Sequence, residues 1–305
     1  MQATLAGTAV AVLPSVRSAS AAVPPPLFGS SLCGWATYSP PGETLSEAHA
    51  RIVNRLGGGS LDVVRFFPRA GATSLGSFRE PTCKCYIVEV PRGSTWAQMA
   101  AQVAAMPSGT RLVGWHEPEV SGTDAATYQK FLRTLGSVIV DSGRTDVVGC
   151  AVLEGSTYHS TRYKYNDGTG SGRPWSYWLP DTLPPGITAL GGDIYPHGKD
   201  SASADSPSEL LDPIVRVVTG HYGGCEFVIG EAGAGRKTWS DAVRANYVNR
   251  FTDYIRSHPA IFRRVAWFQT ATGSQGPWIV LPNPKTGWPV LPLTIAAVAK
   301  SMQGH

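Results

Sequence analysis

The chain has 305 residues, of which 42% are apolar and 16% charged, and a formal net charge of +4 at pH 7. This composition excludes disorder and a coiled coil, and leaves room for one large α/β barrel or two small domains. The basic residues are scattered, with no run longer than a pair such as Arg263-Arg264, so no nucleic-acid partner is expected.

Residues Met1 to Val23 are rich in Ala, Ser and Val and end in Ser18-Ala19-Ser20-Ala21-Ala22. The small residues resemble a signal-peptidase site. Arg17, however, follows the apolar stretch and no basic residue precedes it. Residues 1–26 therefore read as a leader or truncated signal-like segment, with a secreted or extracellular protein as the expectation. The folded domain is expected at 27–305. No later segment has the length and apolarity of a membrane span.

Strand-like and helix-like runs then alternate, which argues for a parallel sheet. Leu27 to Leu32 reads as the first strand, followed by a helix over Thr44 to Leu56 that ends at the glycines from Gly57. Leu61 to Phe67 is the second strand. Residues Pro68 to Thr82 carry little helical periodicity, so the second crossover is expected to lack a helix or to hold a very short one. Cys85 to Val90 is the third strand, and Ser94 is expected to cap a helix reaching Met106. The run Arg111 to Trp115 is the fourth strand, with a helix over Asp124 to Asp141 behind it.

The fifth strand is Asp146 to Leu153, and a loop dense in Gly, Tyr and Trp spans Glu154 to Pro185. Ile187 to Tyr195 is the sixth strand, and a helix over Pro207 to Thr219 leads to the seventh, Cys225 to Ile229. A helix over Ser240 to Ser257, an eighth strand over Val265 to Gln269 and a closing helix over Leu293 to Met302 complete the chain. Eight strands with intervening helices match the size of a single (β/α)8 TIM barrel with long aromatic-rich loops at its C-terminal face. No internal repeat or linker divides it.

The five cysteines are Cys33, Cys83, Cys85, Cys150 and Cys225. Cys150 and Cys225 read as buried thiols. Cys83 and Cys85 are too close in sequence for an easy mutual disulfide, and one of them is placed to pair with Cys33. The absence of a Cys-x-x-Cys pair speaks against a zinc ribbon or thioredoxin-like site.

The chemistry concentrates in Trp115-His116-Glu117-Pro118-Glu119 and Ile229-Gly230-Glu231-Ala232-Gly233. Each places a glutamate after a buried strand, where a barrel carries its reactive groups. Two such carboxylates across one cavity suit glycosidic bond cleavage, one as acid and one as nucleophile about 5–5.5 Å apart. Loop aromatics such as Trp175, Tyr177, Trp178, Trp239 and Trp278 suit either core capping or stacking on the C–H face of a sugar. Glu119, Glu154 and Asp193 read as loop or subsite residues, with Glu154 and Asp193 in reach of substrate. Glu226 opens its strand and is expected at the opposite, stabilising face.

These strings resemble glycoside hydrolase clan A, the retaining (β/α)8 glycosidases with acid/base and nucleophile glutamates after strands four and seven. Most of that clan has Asn before the acid/base Glu. His116 departs from this, and is similar to family 26, the mannanase-containing branch. The resemblance implies Glu117 as acid/base and Glu231 as nucleophile. It implies that His116 meets the substrate 2-hydroxyl or orients a glutamate, that Arg65 lies near the nucleophile, and that Tyr195 hydrogen-bonds it. Trp267 becomes the platform under the cleaved sugar, and Trp115 a further substrate contact. Arg65 is expected to keep Glu231 ionised while apolar neighbours raise the pKa of Glu117.

No cofactor and no metal are expected, and the partner is a polysaccharide or oligosaccharide of the β-mannan, β-glucan or xylan class met by a monomer. Two other readings stand beside this one. A metal-dependent barrel hydrolase would draw on His116, Asp193, His197, His221 and Glu231, but the sequence has no His-x-His or His-x-x-x-His spacing. A non-catalytic carbohydrate-binding barrel would use the same aromatic loops.

Overall fold

The computed structural model describes residues 23–32, 44–66, 79–159, 173–196, 206–235, 238–268 and 291–303. Eight parallel strands close a barrel in sequence order: β1 (Leu27–Leu32), β2 (Val63–Phe66), β3 (Cys85–Val90), β4 (Arg111–Gly114), β5 (Val148–Glu154), β6 (Ile187–Ile194), β7 (Glu226–Ala232) and β8 (Phe262–Trp267). The outer layer is α1 (Leu45–Arg55), α2 (Trp96–Ala105), α3 (Ala125–Asp141), α4 (Trp175–Trp178), α5 (Pro207–Gly220), α6 (Asp241–Ser257) and α7 (Pro292–Met302). No helix among the described residues is long and apolar enough to cross a membrane.

Strand alternation divides the apolar residues into two cores. Val63, Cys85, Ile87, Val113, Cys150, Val152, Ala189, Val228 and Ala266 fill the barrel interior. Their neighbours in sequence, among them Val64, Val88, Leu112, Leu153, Leu190, Phe227 and Val265, pack outward against the helices. At the N-terminal mouth Glu226 forms ion pairs with both Arg111 and Arg264, so its place is the stabilising face the sequence indicates.

The helices start where side chains satisfy their first amides. Thr44 with Glu47 and Ser206 with Glu209 form capping boxes on α1 and α5. The cap of α2 is Thr95 with Gln98, one residue later than the sequence suggests; Ser94 instead donates to the Pro91 carbonyl at 2.7 Å. β8 begins three residues before its expected start, because Phe262 and Arg264 already pair with β7. No helix occurs in residues 79–84, the described part of the second crossover. Cys83 and Cys85 are free thiols among the described residues, and Cys33, the partner considered for one of them, lies outside the described residues.

Candidate active site

The C-terminal mouth of the barrel is built on two backbone irregularities. At the end of β4, Trp115 and Glu117 have φ values of 53° and 46°, a left-handed conformation that a bulky L-residue adopts only at a cost. They bracket His116. Hydrogen bonds Val120 N to Glu117 O and Ser121 N to Pro118 O close the turn that follows. At the end of β7 the pairing with β6 runs Gly192 with Ile229, then Asp193 with Glu231, so Gly230 is bulged out of register. Strict alternation from Val228 would turn Glu231 outward. The extra residue re-aims it.

Gly230 is required by what surrounds it. A Cβ there would lie 2.9 Å from Asp193 Oδ1 and 3.3 Å from Arg65 Nη1. The bulge thus lets an arginine and an aspartate close in from opposite strands behind Glu231. Arg65 and Asp193 are both fully buried.

Glu231 is the hub of the cluster. Its Oε2 accepts a hydrogen bond from the Tyr195 hydroxyl, and its Oε1 lies 3.4 Å from His116 Nε2. The same His116 nitrogen hydrogen-bonds Asp193 Oδ2. Burial opposes a charge on His116, yet Asp193, Glu117 and Glu231 outweigh it and raise its pKa to about 10. The ring is an imidazolium at neutral pH.

The two glutamates differ in charge state, but not in the manner the sequence suggests. Burial drives the Glu117 carboxyl well above the usual range, only partly opposed by His116. Glu231 does not stay in the ordinary carboxylate range beside Arg65. Burial and then Asp193 push it up to about 7, against the pull of His116, Arg65 and the Tyr195 hydrogen bond. Arg65 acts in the expected direction but is outweighed by a neighbour, Asp193, whose position only the fold reveals.

Glu119 and Glu154 serve the frame. Glu119 Oε1 accepts from Glu154 N at 2.6 Å and from Thr157 Oγ1 at 2.8 Å, tying the β4 turn to the end of β5. Glu154 accepts from both Ser156 N and Ser156 Oγ and so caps a short 3-10 turn, Gly155–Tyr158. Both glutamates are buried. A cavity of about 10 Å³, room for a single water, is lined by Glu154, Ser156, His159, Asp193 and Tyr195.

Two tryptophans expected at the substrate are turned elsewhere. Trp267 is fully buried, donates from Nε1 to Ser301 Oγ at 2.9 Å and packs on Phe251 at 5.6 Å. Ala266 faces the barrel interior, so Trp267 must face the helices. Trp115 packs edge-on against Phe131 of α3 at 5.8 Å, and its Nε1 donates to Ser121. The residue that does approach the site from β8 is Phe268, 6.1 Å from Tyr195 ring to ring. Counting the alternation from Arg264 would have found it.

His116, Asp193 and Glu231 present three ligand atoms within 4.8 Å of one another. The donor set fits a cation poorly, because the Arg65 guanidinium is close behind Gly230. Of the other candidate ligands, His221 sits at the C-terminal end of α5 against Trp175, and His197 lies outside the described residues, as does Trp278.

A closed eight-stranded parallel barrel with polar groups gathered at its C-terminal mouth places the chain among (β/α)8 barrel proteins. Solved structures share this fold. A GH128 (subgroup I) endo-β-1,3-glucanase from Amycolatopsis mediterranei, in complex with laminaritriose, is 14% identical with a TM-score of 0.54, over 90% of this chain and 99% of that one. An endo-β-1,4-glucanase from Xanthomonas axonopodis pv. citri is 11% identical with a TM-score of 0.59, over 90% and 99%. A family 5 xyloglucanase from Paenibacillus pabuli is 11% identical with a TM-score of 0.51, over 91% and 98%. No protein-family model matches the chain, and neither does any curated protein.

Proposed function

We propose that this protein is a retaining glycoside hydrolase acting on a β-glucan. The observation that carries the reading is the β7 bulge. It turns the Glu231 carboxylate onto Tyr195 and His116 within the electrostatic reach of Glu117. In its ionised form Glu231 attacks the anomeric carbon while Glu117, starting protonated, gives its proton to the leaving oxygen. Glu117 then takes a proton from water as that water displaces Glu231. Tyr195, His116 and Arg65 favour the carboxylate form of Glu231 that the first step needs. His116, which keeps some exposure, also stands where a substrate hydroxyl would meet it, with Asp193 buried behind it to orient the ring.

β-Glucan is preferred over mannan and xylan because glucanases recur among the fold neighbours. The His116-Glu117 pair keeps mannan as the second substrate to test. Secretion through residues 1–26 and action as a monomer belong to the same proposal.

The test is reducing-sugar release from purified β-1,3-glucan, β-1,4-glucan, xyloglucan, xylan and β-mannan, with the Glu117→Gln/Glu231→Gln double variant alongside. Release from a glucan by the wild-type protein alone is the expected result. Binding without release, by wild type and variant alike, would move the assignment to a non-catalytic carbohydrate-binding barrel. Since three ligand atoms converge at Glu231, a chelator arm is included. Activity that vanishes on chelation and returns with a divalent cation would favour the metal-dependent hydrolase.

A further inference from the structure

A second cavity, of about 510 Å³, lies on the flank of the barrel beyond the catalytic mouth. Its volume falls in the range of ligand sites, roughly 300–1,000 Å³. One wall is a face of α5. Glu209, Asp212 and Arg216 are spaced by three and four residues, which puts them in a row along the helix. At 1.5 Å per residue the row from Glu209 to Arg216 is roughly 10 Å long. His221, five residues further on at the end of the helix, lines the cavity as well. Trp175 of α4, half-buried, also lines the cavity, with its indole 4.9 Å from the His221 ring and 5.8 Å from that of Tyr222.

We propose that this groove is an accessory glycan-binding site. The inference rests on the reading of the protein as a glycosidase, and adds a second place at which it holds its polymer. An indole face takes the apolar C–H side of a pyranose. Carboxylates and a guanidinium along one line accept from and donate to the hydroxyls at the ring edge. The row's length suits a short stretch of the polymer.

Its place also fits. His159 lines both this groove and the water-sized cavity beside Asp193 and Tyr195, and its Nε2 is 2.9 Å from the Leu210 carbonyl of α5. The groove therefore starts at the rim of the catalytic mouth, separated from it by one imidazole, and descends along α5.

The experiment compares wild type, Trp175→Ala and Arg216→Ala. It measures co-sedimentation with insoluble β-1,3-glucan and turnover of both that polymer and soluble laminarihexaose. Arg216→Ala removes no core contact, so it keeps the test open if Trp175→Ala fails to fold. The expected result is a three- to tenfold weaker association with the insoluble polymer in each folded variant, and unchanged kcat on the hexaose. Undiminished sedimentation of both variants would overturn the proposal, even with hydrolysis intact. If wild type hydrolyses no glucan but its sedimentation still depends on Trp175 and Arg216, the groove stands and the glycosidase reading falls.

Discussion

His116 is held between two left-handed residues, and its ring bridges Asp193 and Glu231. Asp193 is the largest influence raising its pKa. Asp193→Asn is therefore expected to lower the His116 pKa, read from the imidazole resonances in an NMR titration. An unchanged value would show that Glu117 and Glu231 alone hold the charge. The two tryptophans give the converse case. Trp267→Ala should cost about 3–5 kcal/mol in stability, measured by denaturant unfolding, because it empties a fully buried site. It should leave KM unchanged, whereas Phe268→Ala should raise KM several-fold. A rise in KM for Trp267→Ala would return that residue to the substrate. In the sequence both tryptophans sit at strand ends and look alike as platforms. Only the inward positions of Arg264 and Ala266 fix which way Trp267 faces.

At the scale of elements, most strands and helices were legible because alternation and capping residues mark them locally. The Thr44-Glu47 and Ser206-Glu209 pairs announce α1 and α5 directly. The bulge at Gly230 was not legible, since a bulge is a mismatch between two strands that lie far apart in sequence. For the same reason the apolar run before it marks Glu231 as a strand end, while the device that aims it lies in the pairing of β6 with β7. Gly230→Ala tests that device. Its methyl would press on Asp193 Oδ1, a buried side chain with little room to move. We expect a loss of about 1–3 kcal/mol in unfolding free energy together with a fall in kcat. A variant as stable and active as wild type would mean that the β6–β7 register tolerates a side chain there.

For the molecule as a whole, the buried charges set a pH dependence of stability. Glu119 and Glu231 have folded-state pKa values near 7, above their usual 4.5. A carboxyl raised on folding stabilises the protein below its unfolded pKa, and that stability is lost as pH rises towards the folded one. His116, raised from 6.5 to about 10, contributes below 6.5 and loses its contribution as pH climbs through 10. All three effects have one sign and together outweigh His49, whose pKa burial lowers and which works the other way below pH 6.5. The melting temperature should therefore fall steadily between about pH 5 and pH 9, by calorimetry or circular dichroism. In Glu119→Gln the acidic part of that slope should flatten. A melting temperature that rises over this range would contradict the burial assigned to these groups. Barrel class and the placing of Glu117 and Glu231 at strand ends are readable from the chain because each follows an apolar run, whereas the charge balance among them depends on Asp193 and Arg65 meeting behind Gly230.

The division of roles between Glu117 and Glu231 is tested most directly by azide trapping on an aryl β-glucoside with a good leaving group. With Glu231→Ala, azide should displace the aryloxide from the free face and give the α-glycosyl azide. With Glu117→Ala, azide should attack the glycosyl-enzyme and give the β-glycosyl azide. The reverse pairing, or rescue of neither variant while wild type is active, would contradict the account.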